Sequence, residues 1–250
     1  MTIINTTHHF IYVHIPKTAG TSVKRFFGQL TRYCDLEIGG ALDAEPLEAI
    51  YWKRFRLRKH AAAREIFQAI GPERYAGYYK FTFVRDPFVR TLSTFRFLKF
   101  TFRNWKKAAV MDDFGNLEEF VCSKYFLEDP GPDRILIPQA RWLTDDRNRT
   151  CVDFVGQVER IEQDIVTICQ KLTLPLLPEP IGKRNVSTPG PGELEKDLAN
   201  ARVVDRIRDR YSMDFEMFGY ARDPQWGAIR EYGENFRARG FLARSTRQAE

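Results

Sequence analysis

Three short apolar runs, each followed by a more polar stretch, are the clearest pattern along the chain. They lie at residues 9–15, 78–84 and 152–158 and are rich in aromatic and β-branched side chains. Such runs are typical of buried strands. The pattern therefore predicts three strands, of which the second ends at Asp86-Pro87.

Helical patterns alternate with these strands. Asp86 is a good N-cap and Pro87 suits the first helical position, so a helix should follow the second strand. Four more helices are predicted, at Thr21 to about Arg32, within the alanine-rich residues 59–72, at about Ile161 to Leu172, and at Leu194–Tyr211. Strands that alternate with helices indicate an α/β fold with a largely parallel sheet. Residues 37–58 form a variable charged stretch, and residues 175–192 are predicted to be a loop or flap.

Composition narrows the function only a little. The 250 residues suffice for one large or two small domains, and the net charge of +6 indicates a surface that attracts anions. A nucleotide, a polyanionic sugar, an acidic lipid surface and nucleic acid all fit this charge, as does an ordinary solvated surface. The four cysteines lack metal-ligand spacing, so we expect reduced thiols and no metal site. No signal peptide or apolar stretch long enough to span a membrane is recognisable, so a cytoplasmic protein is expected.

The segment PKTAGTS directly follows the first predicted strand. If it links that strand to a helix, the backbone N–H groups from Thr18 through Ala19, Gly20 and Thr21 to Ser22 line an anion-binding turn. Lys17 adds a full positive charge, and Gly20 lets the backbone approach an oxyanion closely. The lysine precedes the glycine by three residues, unlike the order in the nucleotide-triphosphate loop. A simple glycine-containing turn with an exposed lysine remains an alternative.

A second anion site is predicted after the second strand. Ser93 lies seven residues after Asp86, and about 700° of helical rotation returns it to nearly the same face. Arg85 at the helix mouth and Ser93 two turns later could hold one phosphate together. Arg90 is either a further ligand or part of a structural ion pair. Helix capping and solvation are the alternative explanation for this pattern.

The two motifs in this order resemble the sulfotransferase superfamily. The similarity is strongest to the carbohydrate sulfotransferases of the heparan sulfate 2-O-sulfotransferase type and their bacterial relatives. KHAAAREI, IPQARWL, VDFVGQVERIEQD and DFEMFGY also resemble family segments in family order, over roughly residues 9–220. The resemblance implies a P-loop-like three-layer α/β domain at residues 1–220, with a mainly parallel central sheet flanked by helices. Residues 221–250 would be a charged C-terminal extension, helical or frayed.

The resemblance also implies the donor, 3′-phosphoadenosine 5′-phosphosulfate, and no metal. Residues Lys17 to Ser22 would hold the 5′-phosphosulfate, and Arg85 with Ser93 the 3′-phosphate. In the segment GKRNVSTP, the expected phosphate contacts are Arg184, Asn185 and Ser187. This segment lacks a histidine common in relatives, and a basic solvated loop is the alternative.

The transfer requires a group that stabilises charge on the leaving oxygen and a base for the acceptor hydroxyl. Lys17 is expected to fill the first role. His60 is the expected base, because we predict that it opens the alanine-rich helix, where the helix dipole keeps an imidazole neutral. Glu65 is the alternative base, and His60 could instead be a polar helix cap.

The sequence therefore predicts a sulfotransferase that moves a sulfuryl group to a hydroxyl of a carbohydrate or glycolipid by in-line displacement, releasing 3′-phosphoadenosine 5′-phosphate. We expect a soluble bacterial-type enzyme that neither spans a membrane nor acts on nucleic acid. A nucleotide-dependent kinase and a non-catalytic binder of nucleotides or polyanions are the alternatives. The acceptor and the oligomeric state are left open.

Overall fold

The structure is a computed structural model, and it describes residues 1–39, 44–101, 108–128, 134–175 and 193–225. The chain forms two compact units. Unit 1 comprises Met1–Arg85 and Ile137–Asn185, and unit 2 comprises Asp86–Leu136 and Val186–Glu250.

Unit 1 contains a five-stranded sheet in the order β3-β1-β2-β4-β5. The strands are β1 (Thr2–Asn5), β2 (Phe10–Val13), β3 (Leu36–Ile38), β4 (Tyr79–Val84) and β5 (Phe154–Gln157). β2 pairs with β4 and β4 with β5 in parallel, whereas β1 is antiparallel to both of its neighbours. Four of the five strands therefore point the same way. This confirms the α/β class with a mainly parallel central sheet flanked by helices.

The three predicted strands are β2, β4 and β5, whereas β1 and β3 were not predicted. β3 lies partly in residues that were assigned to a variable charged stretch. At three and four residues, β3 and β1 are too short to give a clear alternating pattern. They form strands because of their pairing: Ile3 of β1 lies opposite Tyr12 of β2 on one side and opposite Glu37 of β3 on the other.

The helices of the described residues flank this sheet or form unit 2. In chain order they are α1 (Gly20–Phe27), α2 (Ala44–Phe55), α3 (Ala63–Ile70), α4 (Pro72–Gly77), α5 (Pro87–Arg96), α6 (Ala108–Asp112), α7 (Leu117–Val121), α8 (Lys124–Leu127), α9 (Ile161–Leu172), α10 (Glu193–Leu198), α11 (Ala201–Arg210) and α12 (Ser212–Phe218). Short 3₁₀ turns cover Gly28–Leu30, Arg134–Leu136, Gln139–Trp142 and Val158–Arg160, and a π-helical turn covers Phe97–Thr101.

The helix predictions are confirmed for α5, for α9, and for α3, which lies within residues 59–72 and ends before Gly71, and the other two need correction. The Asp86 carboxylate accepts a hydrogen bond from the Val89 N–H at 3.0 Å, which caps α5 as predicted. The helix predicted at 194–211 is instead two helices, α10 and α11. The break comes at Asn200, whose side chain accepts from the Arg202 N–H and caps α11. The helix predicted to start at residue 21 is α1 plus a 3₁₀ turn that ends at Leu30.

Each unit has its own apolar core. In unit 1, strand residues such as Phe10 and Phe81 pack with Phe27 of α1 and Ile165 of α9. Every residue of β2 is buried, as expected for a strand covered on both faces. In unit 2, the core joins helices α5, α7, α8, α11 and α12 around side chains such as Phe120 and Tyr211. Unit 1 is thus a sheet with helices, and unit 2 is a helical cluster.

The structure also bears on the cysteines and on membrane-spanning helices. Cys34, Cys122, Cys151 and Cys169 are not joined by disulfides. Among the described residues, no helix has the length and apolar character needed to cross a membrane.

Candidate active site

The segment after β2 has an unusual backbone. Lys17 and Ala19 both adopt positive φ angles, 68° and 59°, although neither is glycine. Such residues are strained and cluster at functional sites. Left-handed residues that alternate with ordinary ones also turn successive N–H groups toward one side, the arrangement of an anion-binding nest. The Thr18 hydroxyl donates to the Ile15 carbonyl at 2.9 Å and closes the turn.

Helix α1 begins directly behind this turn, at Gly20. The Ala19 carbonyl accepts from the N–H groups of Ser22 and Val23 at 2.9 and 3.2 Å and so closes the first turn, and the positive end of the helix dipole points toward the loop. Ser22 is buried in the first turn, whereas Thr21 is exposed. The predicted strand–turn–helix element is therefore present at Lys17 to Ser22.

Gly20 is needed for a reason that the sequence did not show. A Cβ atom at this position would overlap the ring of His14. The glycine thus allows the start of α1 to lie against an imidazole at the end of β2. His14 is buried, and its ring centre lies 5.7 Å from that of Tyr12.

Lys17 and Arg85 come together at the carboxyl ends of β2 and β4. Nη1 of Arg85 lies 3.5 Å from the Lys17 carbonyl oxygen. Burial and the positive charge of Arg85 lower the pKa of the Lys17 ammonium from its usual 10.5 to about 8. A lysine whose charged form is weakened by a neighbouring guanidinium favours an anion bound beside both groups.

A residue to which the sequence analysis gave no role, Gln139, holds Arg85 in place. Its side-chain oxygen accepts from the Arg85 N–H at 2.9 Å, and its side-chain NH₂ donates to the Arg85 carbonyl at 2.8 Å. Gln139 is fully buried at the start of a 3₁₀ turn. The only signal in the sequence was a polar residue inside the segment IPQARWL.

His60 lies near this loop, but its predicted position on a helix was wrong. Helix α3 begins at Ala63, so His60 precedes it in an irregular segment and the argument from the helix dipole does not apply. Instead, Nδ1 of His60 lies 3.2 Å from the backbone carbonyl oxygen of His14. A carbonyl only accepts, so this contact places the proton on Nδ1 and leaves Nε2 as the basic nitrogen.

Aromatic contacts surround the His60 ring. Its centre lies 4.4 Å from that of His14 and 6.3 Å from the Trp142 ring. Since His14 also contacts Gly20, one imidazole separates His60 from the start of α1. The alternative base Glu65 accepts a hydrogen bond from the Ala62 N–H at 2.7 Å and so caps α3.

The remaining predicted phosphate ligands lie either in unit 2 or outside the described residues. Ser93 is a half-buried residue of α5 in unit 2, whereas Arg85 belongs to unit 1, and their pairing stays a prediction. Arg90 is buried in unit 2, donates to the Ile135 carbonyl at 2.9 Å and lies over the Tyr211 ring, which indicates a structural role. Arg184, Asn185 and Ser187 lie outside the described residues.

The clustered groups suit a ligand with more than one anionic centre. A nest with a half-buried lysine can hold one phosphate or sulfate, and a guanidinium can hold another. Among the described residues, no group of three or more His, Cys, Asp or Glu side chains could hold a metal ion.

Comparison with known proteins identifies the class. The sequence profile of the Sulfotransferase family matches residues 1–221, so the chain belongs to this family. Carbohydrate sulfotransferase 14 of Danio rerio is a relative, 25% identical over 251 residues. The match covers 87% of this chain and 61% of that protein, so this chain spans less than two thirds of its relative's length. Comparison with solved structures gives no significant match.

Proposed function

We propose that this protein transfers a sulfuryl group from 3′-phosphoadenosine 5′-phosphosulfate to a hydroxyl of a carbohydrate or glycoconjugate. The observation that carries the proposal is the joint placement of Lys17 and Arg85 at the nest before α1. Membership of the Sulfotransferase family supports the reaction class, and the name of the zebrafish relative supports the acceptor class.

The residues of unit 1 fit this donor. The nest from Lys17 to Ser22 would hold its 5′-phosphosulfate, and Arg85 its 3′-phosphate. Two separate anionic groups on one nucleoside match two cationic groups that meet across neighbouring strands. The donor, when bound, supplies the activated sulfuryl group.

Two residues of this chain would promote the transfer. Nε2 of His60 would accept the proton of the acceptor hydroxyl, because the His14 carbonyl holds the other ring nitrogen in its protonated form. Nζ of Lys17, charged below about pH 8, would stabilise the negative charge that develops beside the nest.

We also propose the finer assignments that the sequence suggested. These are the similarity to the heparan sulfate 2-O-sulfotransferase branch and its bacterial members, a cytoplasmic location, and direct contacts from Ser93, Arg184, Asn185 and Ser187. Activity does not depend on a metal in this proposal.

Calorimetric titration with 3′-phosphoadenosine 5′-phosphate, AMP and ATP tests the donor. We expect the bisphosphate to bind at least about tenfold more tightly than AMP, because only it engages both cationic groups. A screen of carbohydrate acceptors with the sulfated donor should then reveal transfer without added Mg²⁺. Tighter binding of Mg²⁺–ATP than of the bisphosphate would instead favour a kinase, and binding without any transfer would favour a silent binder.

A further inference from the structure

A strongly basic surface segment lies directly before His60. Residues 52–59 read WKRFRLRK, in which five of eight residues are Lys or Arg and none is acidic. We call this the basic segment. Its residues are exposed apart from Leu57, which is 1% exposed. In the part of the chain that the structure describes, no carboxylate forms an ion pair with Arg54, Arg56 or Arg58.

Two arginines of the basic segment are arranged on one aromatic ring. The guanidinium carbon of Arg58 lies 4.2 Å from the centre of the Trp52 ring, and that of Arg56 lies 5.6 Å from it. Both distances fall within the cation–π range of about 6 Å. A stacked guanidinium keeps its N–H edge available for the two oxygens of a carboxylate or sulfate. Trp52 thus contacts two anion-binding groups.

The backbone supports this arrangement. Arg56 follows the end of α2 with φ at 58°, a left-handed position that helices usually give to glycine. Its N–H donates to the Trp52 carbonyl at 3.0 Å and closes the helix end. After this turn, Arg56 and Arg58 both contact the Trp52 ring.

The connection from the basic segment to His60 is fixed as well. The Thr2 hydroxyl of β1 donates to the Lys59 carbonyl at 3.3 Å and accepts from the Ala61 N–H at 3.3 Å. Glu48 accepts a hydrogen bond from the Lys59 N–H at 3.0 Å. These hydrogen bonds fix the backbone on both sides of the proposed base, and Arg58 precedes that base by two residues.

From this placement we infer that Trp52, Arg56 and Arg58 bind an anionic group, a carboxylate or sulfate, of a polyanionic carbohydrate acceptor while a neighbouring hydroxyl reaches His60. The inference rests on the proposed function and adds the chemical class of the acceptor and its binding surface. An anionic sugar is favoured over a membrane because Arg56 and Arg58 contact the Trp52 ring, which leaves their N–H edges, and not the ring face, to meet a partner.

The test compares two double variants of the 250-residue protein. Arg56→Gln with Arg58→Gln removes both stacked charges, and Arg74→Gln with Arg147→Gln makes the same charge change at two exposed arginines elsewhere in unit 1. The probes are a carboxylate-bearing glycosaminoglycan that lacks sulfate, a neutral dextran of equal length, a single-stranded oligonucleotide, and vesicles of anionic phospholipid.

We expect the first variant to bind the glycosaminoglycan at least about tenfold more weakly, because two charge-assisted contacts are lost. Its binding should also depend less on salt concentration. Affinity for 3′-phosphoadenosine 5′-phosphate should stay at the wild-type value, and the control variant should bind every probe as the wild type does. Arg56→Lys with Arg58→Lys should restore only part of the affinity, since an ammonium cannot bind two oxygens side by side.

The outcomes separate the two proposals. Wild-type glycosaminoglycan affinity in the Arg56/Arg58 variant overturns this inference while the nucleotide titration still supports the sulfotransferase. Equal loss in both double variants overturns it too, because net charge alone would then explain binding. Preferential binding of the oligonucleotide or the vesicles through Arg56 and Arg58 would assign the basic segment to a different partner. Failure of the protein to bind the bisphosphate nucleotide would overturn the proposed function itself.

Discussion

The side-chain amide of Gln139 forms two hydrogen bonds with the backbone of Arg85, one to its N–H at 2.9 Å and one to its carbonyl at 2.8 Å. Arg85 is the residue that follows β4, where the ladder with β5 has ended. Gln139 thus continues the pairing of the strand by one residue and fixes the point from which the guanidinium extends toward Lys17.

Replacing Gln139 by Met should weaken nucleotide binding. The two side chains are similar in size, so the change removes the hydrogen bonds and leaves two buried backbone groups without partners, at about 1–3 kcal/mol each. We expect a lower free energy of unfolding in urea and at least about tenfold weaker binding of 3′-phosphoadenosine 5′-phosphate. Tyr75→Phe is the matched control, because it removes another hydrogen bond of unit 1, from Tyr75 to the Cys151 carbonyl. If both variants lose stability and neither loses affinity, Gln139 does not position Arg85.

Nucleotide binding should depend on pH through Lys17. Its pKa of about 8 means that the free protein loses this charge as the pH rises, whereas a bound anion would retain it. Affinity for the bisphosphate should therefore fall by up to about tenfold for each pH unit above 8, and binding near pH 8 should take up a proton. Calorimetry in buffers of different ionisation enthalpy measures both effects.

The lowered pKa of Lys17 also affects the free energy of unfolding of the ligand-free protein. The unfolded chain keeps the Lys17 proton up to about pH 10.5, so the free energy of unfolding should rise between about pH 8 and pH 10.5 on account of this group.

Lys17→Arg, which stays charged, tests whether Lys17 causes the pH dependence of nucleotide binding. This variant should remove the pH dependence of affinity for the bisphosphate between pH 7 and 9. An unchanged pH profile in Lys17→Arg would show that another group titrates.

His60→Ala should abolish most sulfuryl transfer, by about a hundredfold or more, because general base catalysis is lost. Affinity for the bisphosphate should change little. His60→Asn is the sharper variant: its amide can still donate to the His14 carbonyl, yet it has no equivalent of Nε2. We expect His60→Asn to be as stable as the wild type and as inactive as His60→Ala. Wild-type turnover in either variant would transfer the role of base to another residue, with Glu65 the first to examine.

Gly20→Ala should destabilise unit 1 through a single contact. Alanine favours a helix more than glycine does, but the added methyl would overlap the His14 ring. We expect a loss of about 1–3 kcal/mol, measured by urea unfolding. In a His14→Ala background the same substitution should cost much less, which a double-mutant cycle detects. Equal losses in the two backgrounds would mean that Gly20 is needed for a reason other than this contact.

Arg85→Ala should weaken the binding of the 3′-phosphate group of the nucleotide. We expect binding of 3′-phosphoadenosine 5′-phosphate to weaken by at least about tenfold and binding of AMP to change little, since AMP lacks that group. Ser93→Ala should show the same selectivity to a smaller degree if both residues hold one phosphate. Parallel titrations of the two nucleotides give the result. Unchanged affinity in Arg85→Ala, or equal losses for both nucleotides, would rule out the assigned role.

The sequence by itself determined the local elements that carry the chemistry. Apolar runs predicted β2, β4 and β5, and the residues after β2 and β4 predicted the turn at Lys17 and the capped helix α5. These features depend on neighbours within a few residues, so propensity and periodicity suffice to recognise them. The α/β class and the family followed from their order.

Only the tertiary structure decided the contacts between distant segments. β1 and β3 are strands because they pair with one another and because β1 also pairs with β2. Gln139 bonds a residue 54 positions away, and His60 is oriented by a carbonyl 46 positions away, not by the helix that the sequence suggested. Such contacts arise when the sheet brings strand ends together, and no local pattern of residues encodes which backbone carbonyl an imidazole will meet.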